Sequence, residues 1–328
     1  MKKTKKYYIG IDLGGTNVVA VIVDKNGKIY GKRQFPTFGE KGPEFVIKNI
    51  VNNVKEIISE GRIFIEEIKN IGIGSPGPLD SKKGIIMGAV NLPGWRYVKL
   101  KKEIEKYLKV KTGVENDANC AVYGEKWIGA GKNVNNVVGF TLGTGVGGGI
   151  IIDGKLIRGA NYNAAEIGHT SLNPDGRLCK CGAHGCLEQY ASASAIANTA
   201  KEKIRNGSKS IITEIVKGDI NKVTSKVVYE ALISGDKLAK DVWDEFIKYL
   251  GAGVANIIQT LNPEMIIIAG GVINAGKYLF EPLKKAIKKQ TFPQTYEIVK
   301  IVPAKLGELA GAIGAAGIVI NEPDYYGL

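Results

Sequence analysis

The chain opens with apolar runs that are typical of buried strands. Residues 7–13 and 18–23 are almost continuously apolar, and turn-forming residues 24–27 separate them from a further strand-like segment at 28–34. Continuous β-branched runs bounded by turn residues predict strands. Apolar residues then recur at helical spacing over 44–58, 99–108 and 118–127, with short strand-like runs at 70–74 and 111–114 between them. Strands that alternate with helices predict an α/β fold.

The second half continues this alternation. Helical patterns occupy residues 192–205, 222–233, 237–261, 278–289 and 306–320, and strand-like runs lie at 265–269 and 297–302. No Pro/Ser-rich stretch separates these elements. We therefore expect the domains to be joined through ordered elements, with a cleft between them.

The beginning of the chain is repeated in its middle. Residues 10–16 (GIDLGGT) match residues 139–145 (GFTLGTG) at an offset of 129, which persists to residues 24 and 153. Each copy reads as strand, glycine turn, strand, Asx/Gly turn and strand. One repeated pair predicts two similar domains rather than a solenoid. We expect a smaller N-terminal α/β domain over residues 1–118, completed by residues 306–328, and a larger one over 119–305.

The net charge of +13 raises nucleic acid as a partner, but the basic residues argue against it. Of the 45 basic residues 39 are Lys, mostly scattered, whereas Arg is the residue suited to bidentate phosphate and base recognition. We expect a solvated Lys-rich surface and no nucleic-acid partner. The start lacks an export signal, and the longest apolar run, residues 309–320, is too short for a membrane span. A cytoplasmic protein without a membrane partner is expected.

Two glycine-rich turns follow strands at equivalent places of the repeat. The first glycine loop is residues 12–17 (DLGGTN) and the second is residues 141–149 (TLGTGVGGG). Glycines let backbone N–H groups approach a phosphate, and Asp12 can hold a divalent cation directly or through water. An ordinary glycine hairpin with a buried Asp is the alternative for the first loop.

Neither common nucleotide motif fits these loops. G-x-G-x-x-G occurs at 143–148 and 72–77, but a helix follows neither, as a dinucleotide-binding fold requires, and a P-loop sequence is absent. Two phosphate-binding hairpins in two related domains are instead the arrangement of the actin-like, sugar-kinase and heat-shock-chaperone ATPases. The predicted fold is thus two actin-like, ribonuclease-H-like ATPase domains.

One imidazole and three thiols lie within 18 residues. These candidate ligands are His169, Cys179, Cys181 and Cys186. Three clustered cysteines in a reducing compartment favour metal over disulfides, and a Cys₃His set suits a closed structural zinc site. Coincidental buried cysteines are the alternative. His184 is a competing imidazole that we expect at the surface, and Cys120 is expected to be a buried, inert thiol.

Three carboxylates stand where chemistry is expected. Asp117 follows the strand at 111–114 and lies where a helix N-cap is expected, so helix capping and general-base catalysis both remain open. Its place at a strand end favours chemistry, because ligands of open α/β sheets gather there. Glu166 and Glu188 flank the candidate metal ligands His169 and Cys186. Rigidly held acids suit hydrogen bonds from a neutral polyol, which indicates a sugar.

Taken together, these motifs resemble the ROK family of bacterial sugar kinases, and most closely its ATP-dependent glucokinases. The resemblance spans the chain and includes DLGGTN at 12–17, SPGPLD at 75–80, NLPGW at 91–95, ENDAN at 115–119, TLGTGVGGG at 141–149, EIGH at 166–169, CKCGAHGCLE at 179–188 and AGG at 269–271. The zinc motif is the specific part, whereas the glycine loops alone are not.

The resemblance implies phosphorylation of the glucose 6-hydroxyl by Mg-ATP, with Asp117 as general base and Asp12 positioning Mg²⁺. The implied sugar contacts are Asn116, Asp117, Glu166, His169 and Glu188, with Asn91 and Gly77 at the edge of the pocket. The implied phosphate contacts are Gly14, Gly15, Thr16, Asn17, Thr144 and Gly145, and Gly270 and Gly271 border adenosine. His169 then both ligates zinc and touches the sugar.

Other members of the family set the alternatives. The sugar can instead be fructose, mannose, N-acetylglucosamine or N-acetylmannosamine. A ROK repressor binds sugar without phosphorylating it, but carries an N-terminal helix-turn-helix, and only six residues precede the first predicted strand here. We therefore expect a kinase, and the resemblance also implies a homodimer.

Overall fold

The computed structural model describes residues 5–89 and 91–328, so residues 1–4 of the predicted N-terminal domain, like residue 90, lie outside the described residues. The strands are β1 (Tyr7–Leu13), β2 (Asn17–Asp24), β3 (Ile29–Pro36), β4 (Ile68–Ser75), β5 (Leu79–Asp80), β6 (Ile85–Ile86), β7 (Lys111–Asn116), β8 (Val137–Leu142), β9 (Val146–Ile152), β10 (Lys155–Leu156), β11 (Met265–Ala269) and β12 (Lys300–Pro303). The α-helices are α1 (Gly42–Glu60), α2 (Leu100–Leu108), α3 (Asp117–Ile128), α4 (Glu188–Ala191), α5 (Ala193–Arg205), α6 (Ile212–Ile215), α7 (Ser225–Ile233), α8 (Lys237–Leu261), α9 (Lys277–Lys288), α10 (Pro293–Ile298), α11 (Ala310–Asn321) and α12 (Pro323–Tyr326).

The two large sheets have the same strand order, which confirms the internal repeat. The first runs β3-β2-β1-β4-β7 and the second β10-β9-β8-β11-β12. Strand β2 pairs antiparallel with β1 and β3, and β9 pairs antiparallel with β10. Strands β1, β4 and β7 in the first sheet and β8, β11 and β12 in the second pair in parallel. The offset in the sequence therefore reflects two copies of one α/β unit.

The described chain divides into two compact units. The first unit holds residues 5–135, 149–165 and 305–328, and the second holds 136–148 and 166–304. The chain passes from the second unit to the first within β9 and returns to the second before residue 166. The C-terminal helices α11 and α12 thus belong to the first unit.

Glycines bring helix α11 close to its neighbours in the first unit. A Cβ atom on Gly314 would lie 1.6 Å from the Cys120 carbonyl oxygen of α3, and one on Gly10 of β1 would lie 1.8 Å from the Ala312 carbonyl oxygen. Both positions therefore exclude any side chain. The predicted inert thiol Cys120 is fully buried at this contact, as expected.

One sequence prediction is wrong in this part. The strand predicted at 297–302 begins later, because residues up to Ile298 belong to helix α10 and the strand is Lys300–Pro303. Pro293 stands in the first turn of α10, where its fixed φ favours a helix start.

Candidate active site

Two aspartates lie at one edge of the first sheet. Asp12 is in β1, and Asp117 is the first residue of α3, directly after β7. Strands β1, β4 and β7 are parallel, and the register pairs Asp12 with Gly74 and Gly74 with Glu115. A Cβ on Gly74 would lie 3.5 Å from the Cα of Asp117, so this glycine of β4 lies beside the first residue of α3. The structure thus places both acids at the carboxyl end of the sheet, where ligands bind in open α/β folds.

Burial perturbs the pKa values of both carboxyl groups. Burial, and secondarily the charge of Asp117, raise the pKa of Asp12 from 3.8 to about 7. Burial also raises the pKa of Asp117, although the Ala118 N–H donates to its Oδ1 at 2.8 Å and opposes that rise. Acids that resist ionisation beside each other are suited to binding a cation or accepting a proton near neutral pH.

Asn116, rather than Asp117, caps helix α3. The Asn116 Oδ1 accepts the Asn119 N–H at 3.0 Å, which satisfies a free donor of the first turn. The placement of the N-cap at Asp117 is therefore wrong by one residue, and capping no longer accounts for that aspartate. Asn116 also lies near Gly77, because a Cβ on Gly77 would be 3.8 Å from the Asn116 Nδ2.

The first glycine loop is a closed hairpin turn. The Gly14 N–H donates to the Asn17 carbonyl at 3.0 Å, and the buried Thr37 donates its hydroxyl to the Gly14 carbonyl at 2.7 Å. Gly15 packs against Asn91, whose Cβ would lie 3.0 Å from a Cβ added to Gly15. Thr16 and Asn17 are exposed at the tip. Sequence reasoning missed Thr37, which no local motif distinguishes.

The second glycine loop is tied to one of the predicted sugar contacts. Glu188 accepts the Val146 N–H on its Oε2 at 3.0 Å, and a Cβ on Gly145 would lie 2.2 Å from the same oxygen. Thr144, at the turn itself, is exposed. Gly145 is thus required for the approach of a carboxylate, and Glu188 fixes the loop that we expect to hold phosphate.

Further predicted residues pack around the same part of the second unit. Gly270 has φ +95°, and a Cβ there would lie 2.1 Å from the Leu142 carbonyl oxygen, at the end of β8. Its neighbour Gly271 begins a 3₁₀ turn that follows β11. Glu166 precedes the 3₁₀ turn Ile167–His169, in which Gly168 contacts the Val146 backbone so closely that a Cβ would lie 2.0 Å from its oxygen. The motifs at 166–169 and 269–271 therefore both lie against strands β8 and β9.

The predicted zinc ligands form one cluster. The ligand atoms of His169, Cys179, Cys181 and Cys186 lie within 4.8 Å of one another. The Cys181 and Cys186 sulfurs are 3.6 Å apart, and the Cys179 sulfur is 3.7 Å from the His169 Nδ1. These separations exceed a disulfide bond and match the edges of a tetrahedron with metal–ligand bonds of about 2.0–2.3 Å.

The remaining imidazole lies outside this cluster. His184 is exposed, and its Nδ1 lies 3.0 Å from the Gly176 carbonyl oxygen, as expected for a surface residue.

A buried ionic network in the first unit was not predicted. Arg158 is 8% exposed and contacts the carboxylates of Glu115 and Glu322 and the hydroxyl of Tyr326. The residues come from three distant parts of the chain, so no motif connects them. The scarcity of Arg, six among 45 basic residues, was the one signal in the sequence that could have drawn attention to Arg158.

The repeated sheets with glycine hairpins define an actin-like ATPase fold of the sugar-kinase type. The ROK family model matches residues 8–322, and the chain belongs to the ROK family. It is similar to the glucokinase of Thermotoga maritima, at 39% identity over 95% of this chain and 96% of that protein. It is also similar to the xylose repressor of Caldicellulosiruptor bescii, at 29% identity over 97% of this chain and 80% of the repressor.

A solved structure shows the same relationship. The ROK glucokinase of Streptomyces griseus, in complex with glucose and AMPPNP, superimposes with a TM-score of 0.80 at 34% identity, over 95% of this chain and 98% of that chain. In the part of the chain that the structure describes, no helix combines the length and the apolar character that membrane crossing requires.

Proposed function

We propose that the protein is a glucokinase that transfers the γ-phosphoryl group of ATP to the 6-hydroxyl of glucose. The observation that carries the proposal is the Asp12–Asp117 pair at the carboxyl edge of the first sheet, with perturbed pKa values and a helix cap supplied by another residue. The family membership and the similarity to glucokinases along the chain support it.

In this mechanism Asp117 accepts the proton of the sugar 6-hydroxyl while that oxygen bonds to the γ-phosphorus and the bond to the bridging oxygen of ADP breaks. A base with a raised pKa is matched to a proton transfer near neutral pH, and such a base contributes about 10²–10⁴-fold. Asp12 would hold Mg²⁺, which when bound neutralises phosphate charge. The glycine loops supply backbone donors to the phosphates, since phosphoryl transfer depends chiefly on positioning and charge stabilisation.

The proposed sugar contacts are four polar side chains. Hydrogen bonds with the sugar hydroxyls would be made by Asn116, Glu166, His169 and Glu188. A neutral polyol gains specificity from such fixed polar partners, because a missing hydroxyl leaves them unpaired. Asn91 and Gly77 would border the pocket, next to Gly15 and Asn116 respectively.

The test is an ATP-to-ADP coupled assay across glucose, fructose, mannose, N-acetylglucosamine and N-acetylmannosamine, with polyphosphate as an alternative donor. We expect the highest kcat/KM with glucose and ATP. The variant Asp117→Asn should bind glucose nearly as well as the wild type but lose at least about 10²-fold in kcat. A variant that keeps more than about a tenth of the wild-type kcat would contradict the assignment of the base.

We also propose that the Cys₃His cluster holds a structural zinc ion. Three thiols and one imidazole whose ligand atoms lie within 4.8 Å of one another fit it, and the Ala183 N–H lowers the pKa of the exposed Cys181 thiol. Zinc here would fix the turn that carries Glu166 and the helix that begins with Glu188. We expect one zinc per chain by elemental analysis of the purified protein, and a loss of zinc in Cys181→Ala. Fully folded protein with far less than one zinc would exclude the proposal.

The homodimer and the cytoplasmic location stay predictions. Light scattering of the purified protein tests the first, with a mass of about twice the 35.2 kDa chain expected. Fractionation of the source cells tests the second.

A further inference from the structure

The side chain of Arg158 is the centre of a buried network in the first unit. Its Nε donates to the Glu115 Oε2 at 2.6 Å, and one terminal nitrogen donates to the Glu322 Oε2 at 2.7 Å. The other terminal nitrogen donates to the Tyr326 hydroxyl at 3.0 Å, and the guanidinium stacks 3.8 Å from the centre of the Tyr325 ring. Arg158 thus uses all three nitrogens at once, which the planar fork of Arg permits and a Lys ammonium does not.

The C-terminal helix α12 completes the network. The Tyr326 hydroxyl, which accepts from Arg158, donates to the Glu115 Oε2 at 2.8 Å. The ring is 3% exposed and lies over Gly113 of β7, where a Cβ would come within 3.0 Å of the ring carbon Cγ. Helix α12 therefore packs against, and hydrogen-bonds to, the strand that leads to Asp117.

The other oxygen of Glu115 reaches the strand–helix junction itself. Its Oε1 accepts the Asn116 N–H at 2.9 Å and the Asn119 Nδ2 at 3.3 Å. Glu115 is 2% exposed, so its charge is compensated by Arg158 and these donors rather than by water. The carboxylate therefore links the guanidinium on one side to the backbone next to Asp117 on the other.

We propose that Arg158 and Tyr326 are positioning residues that hold the Asn116–Asp117 junction through Glu115. The inference rests on the proposed function of Asp117 as general base. Displacement of a reacting group by about 1 Å can lower a rate about 10²-fold, so a support two residues from the base affects turnover. Asn116 keeps a separate hold through its contact with Asn119, so sugar affinity should suffer less than turnover.

The adjacent tyrosines supply a matched test. Tyr325 and Tyr326 both belong to helix α12. Tyr326→Phe removes the hydroxyl that contacts Glu115, whereas Tyr325→Phe removes the hydroxyl that lies 2.8 Å from the Ser81 hydroxyl. We expect Tyr326→Phe and Arg158→Lys to lower kcat by about tenfold or more, with the glucose KM within about threefold of the wild type. Tyr325→Phe should keep kcat within about twofold. Equal kcat values in the two tyrosine variants would overturn the proposal.

Amide hydrogen exchange of residues 111–120 gives a second readout that needs no turnover. We expect faster exchange at 116–119 in Tyr326→Phe than in Tyr325→Phe, with the β1–β2 hairpin unchanged in both. Unchanged exchange at the junction would refute the positioning role even if the protein phosphorylated no sugar. A wild type without kinase activity but with the expected exchange difference would instead refute the proposed function and leave the support in place.

Discussion

The Asp12 carboxyl offers a test of the site that is independent of catalysis. Its pKa rises from 3.8 to about 7 in the folded protein, chiefly through burial and then through Asp117. Between these values the folded state binds more protons than the unfolded state, so the free energy of unfolding falls as pH rises. The loss of stability caused by ionising the buried Asp12 is complete above about pH 7 and absent below about pH 4. Asp12→Asn removes it, because the amide carries no charge at any of these pH values.

The magnitude follows from the same pKa difference. A change from 3.8 to about 7 corresponds to at most about 4 kcal/mol at 1.36 kcal/mol per pKa unit. Asp12 is only partly buried by its accessible surface, so solvent screening lowers the realised effect. We expect Asp12→Asn to be more stable than the wild type by about 1–4 kcal/mol near pH 8.5, and this advantage to shrink by about half or more near pH 5. The substitution has to preserve the size of the side chain, because the Asp12 carboxylate packs directly against Gly311. A Cβ on Gly311 would lie 2.2 Å from the Asp12 Oδ2.

The assay is urea unfolding of the purified protein in magnesium-free buffer over this pH range. Asp241→Asn, an exposed change on α8, is the control for the loss of one carboxylate. Added Mg²⁺ should stabilise the wild type at high pH, because ligand binding to the folded state adds to its stability, and should not stabilise Asp12→Asn. A stability difference that is the same at pH 5 and pH 8.5 would refute the electrostatic reasoning.

Two further predictions concern contacts described above. Glu188→Ala should raise the KM for ATP as well as that for glucose, each by about tenfold, because Glu188 accepts the Val146 N–H of the second glycine loop. Steady-state kinetics with each substrate varied in turn would measure both KM values. A rise confined to the KM for glucose would contradict the prediction. Gly314→Ala should lower the free energy of unfolding by about 2–3 kcal/mol, because its Cβ would overlap the Cys120 carbonyl of α3. An unchanged melting temperature would contradict this, since it would mean that α11 can move away from α3 without loss of stability.

Sequence patterns were sufficient where burial of an element gives a regular signal. Strands β1 and β11 are buried over most of their length and give continuous apolar runs, whereas α8 buries one face and gives apolar residues at helical spacing, and all three have the bounds that these patterns predict. The pattern failed at α10 and β12, where a short helix that begins at Pro293 precedes a strand of four residues. It also misplaced the cap of α3, because Asn116 and Asp117 are both residue types that cap helices.

The candidate site divides in the same way. The Cys₃His cluster was predictable because its ligands are close in sequence and chemically distinctive. The Arg158 network was not, because Glu115 lies 43 residues away and Tyr326 lies 168 residues away. Such contacts arise only when the sheet brings distant segments together, and each residue alone resembles an ordinary charged or aromatic position.

Departures from the internal repeat carry chemical information that the repeat itself does not. At the offset of 129, Asp12 of the first glycine loop corresponds to Thr141 of the second, and Asn17 corresponds to Val146. The two hairpins join equivalent strands of equivalent sheets, so the backbone needs neither difference. The first loop contains an acid, Asp12, whose pKa is raised. The second loop contains no acid of its own, and the Val146 N–H at its end donates to the carboxylate of Glu188. The proposed cation site therefore has its acid in one copy only, whereas the second copy would bind phosphate through its backbone.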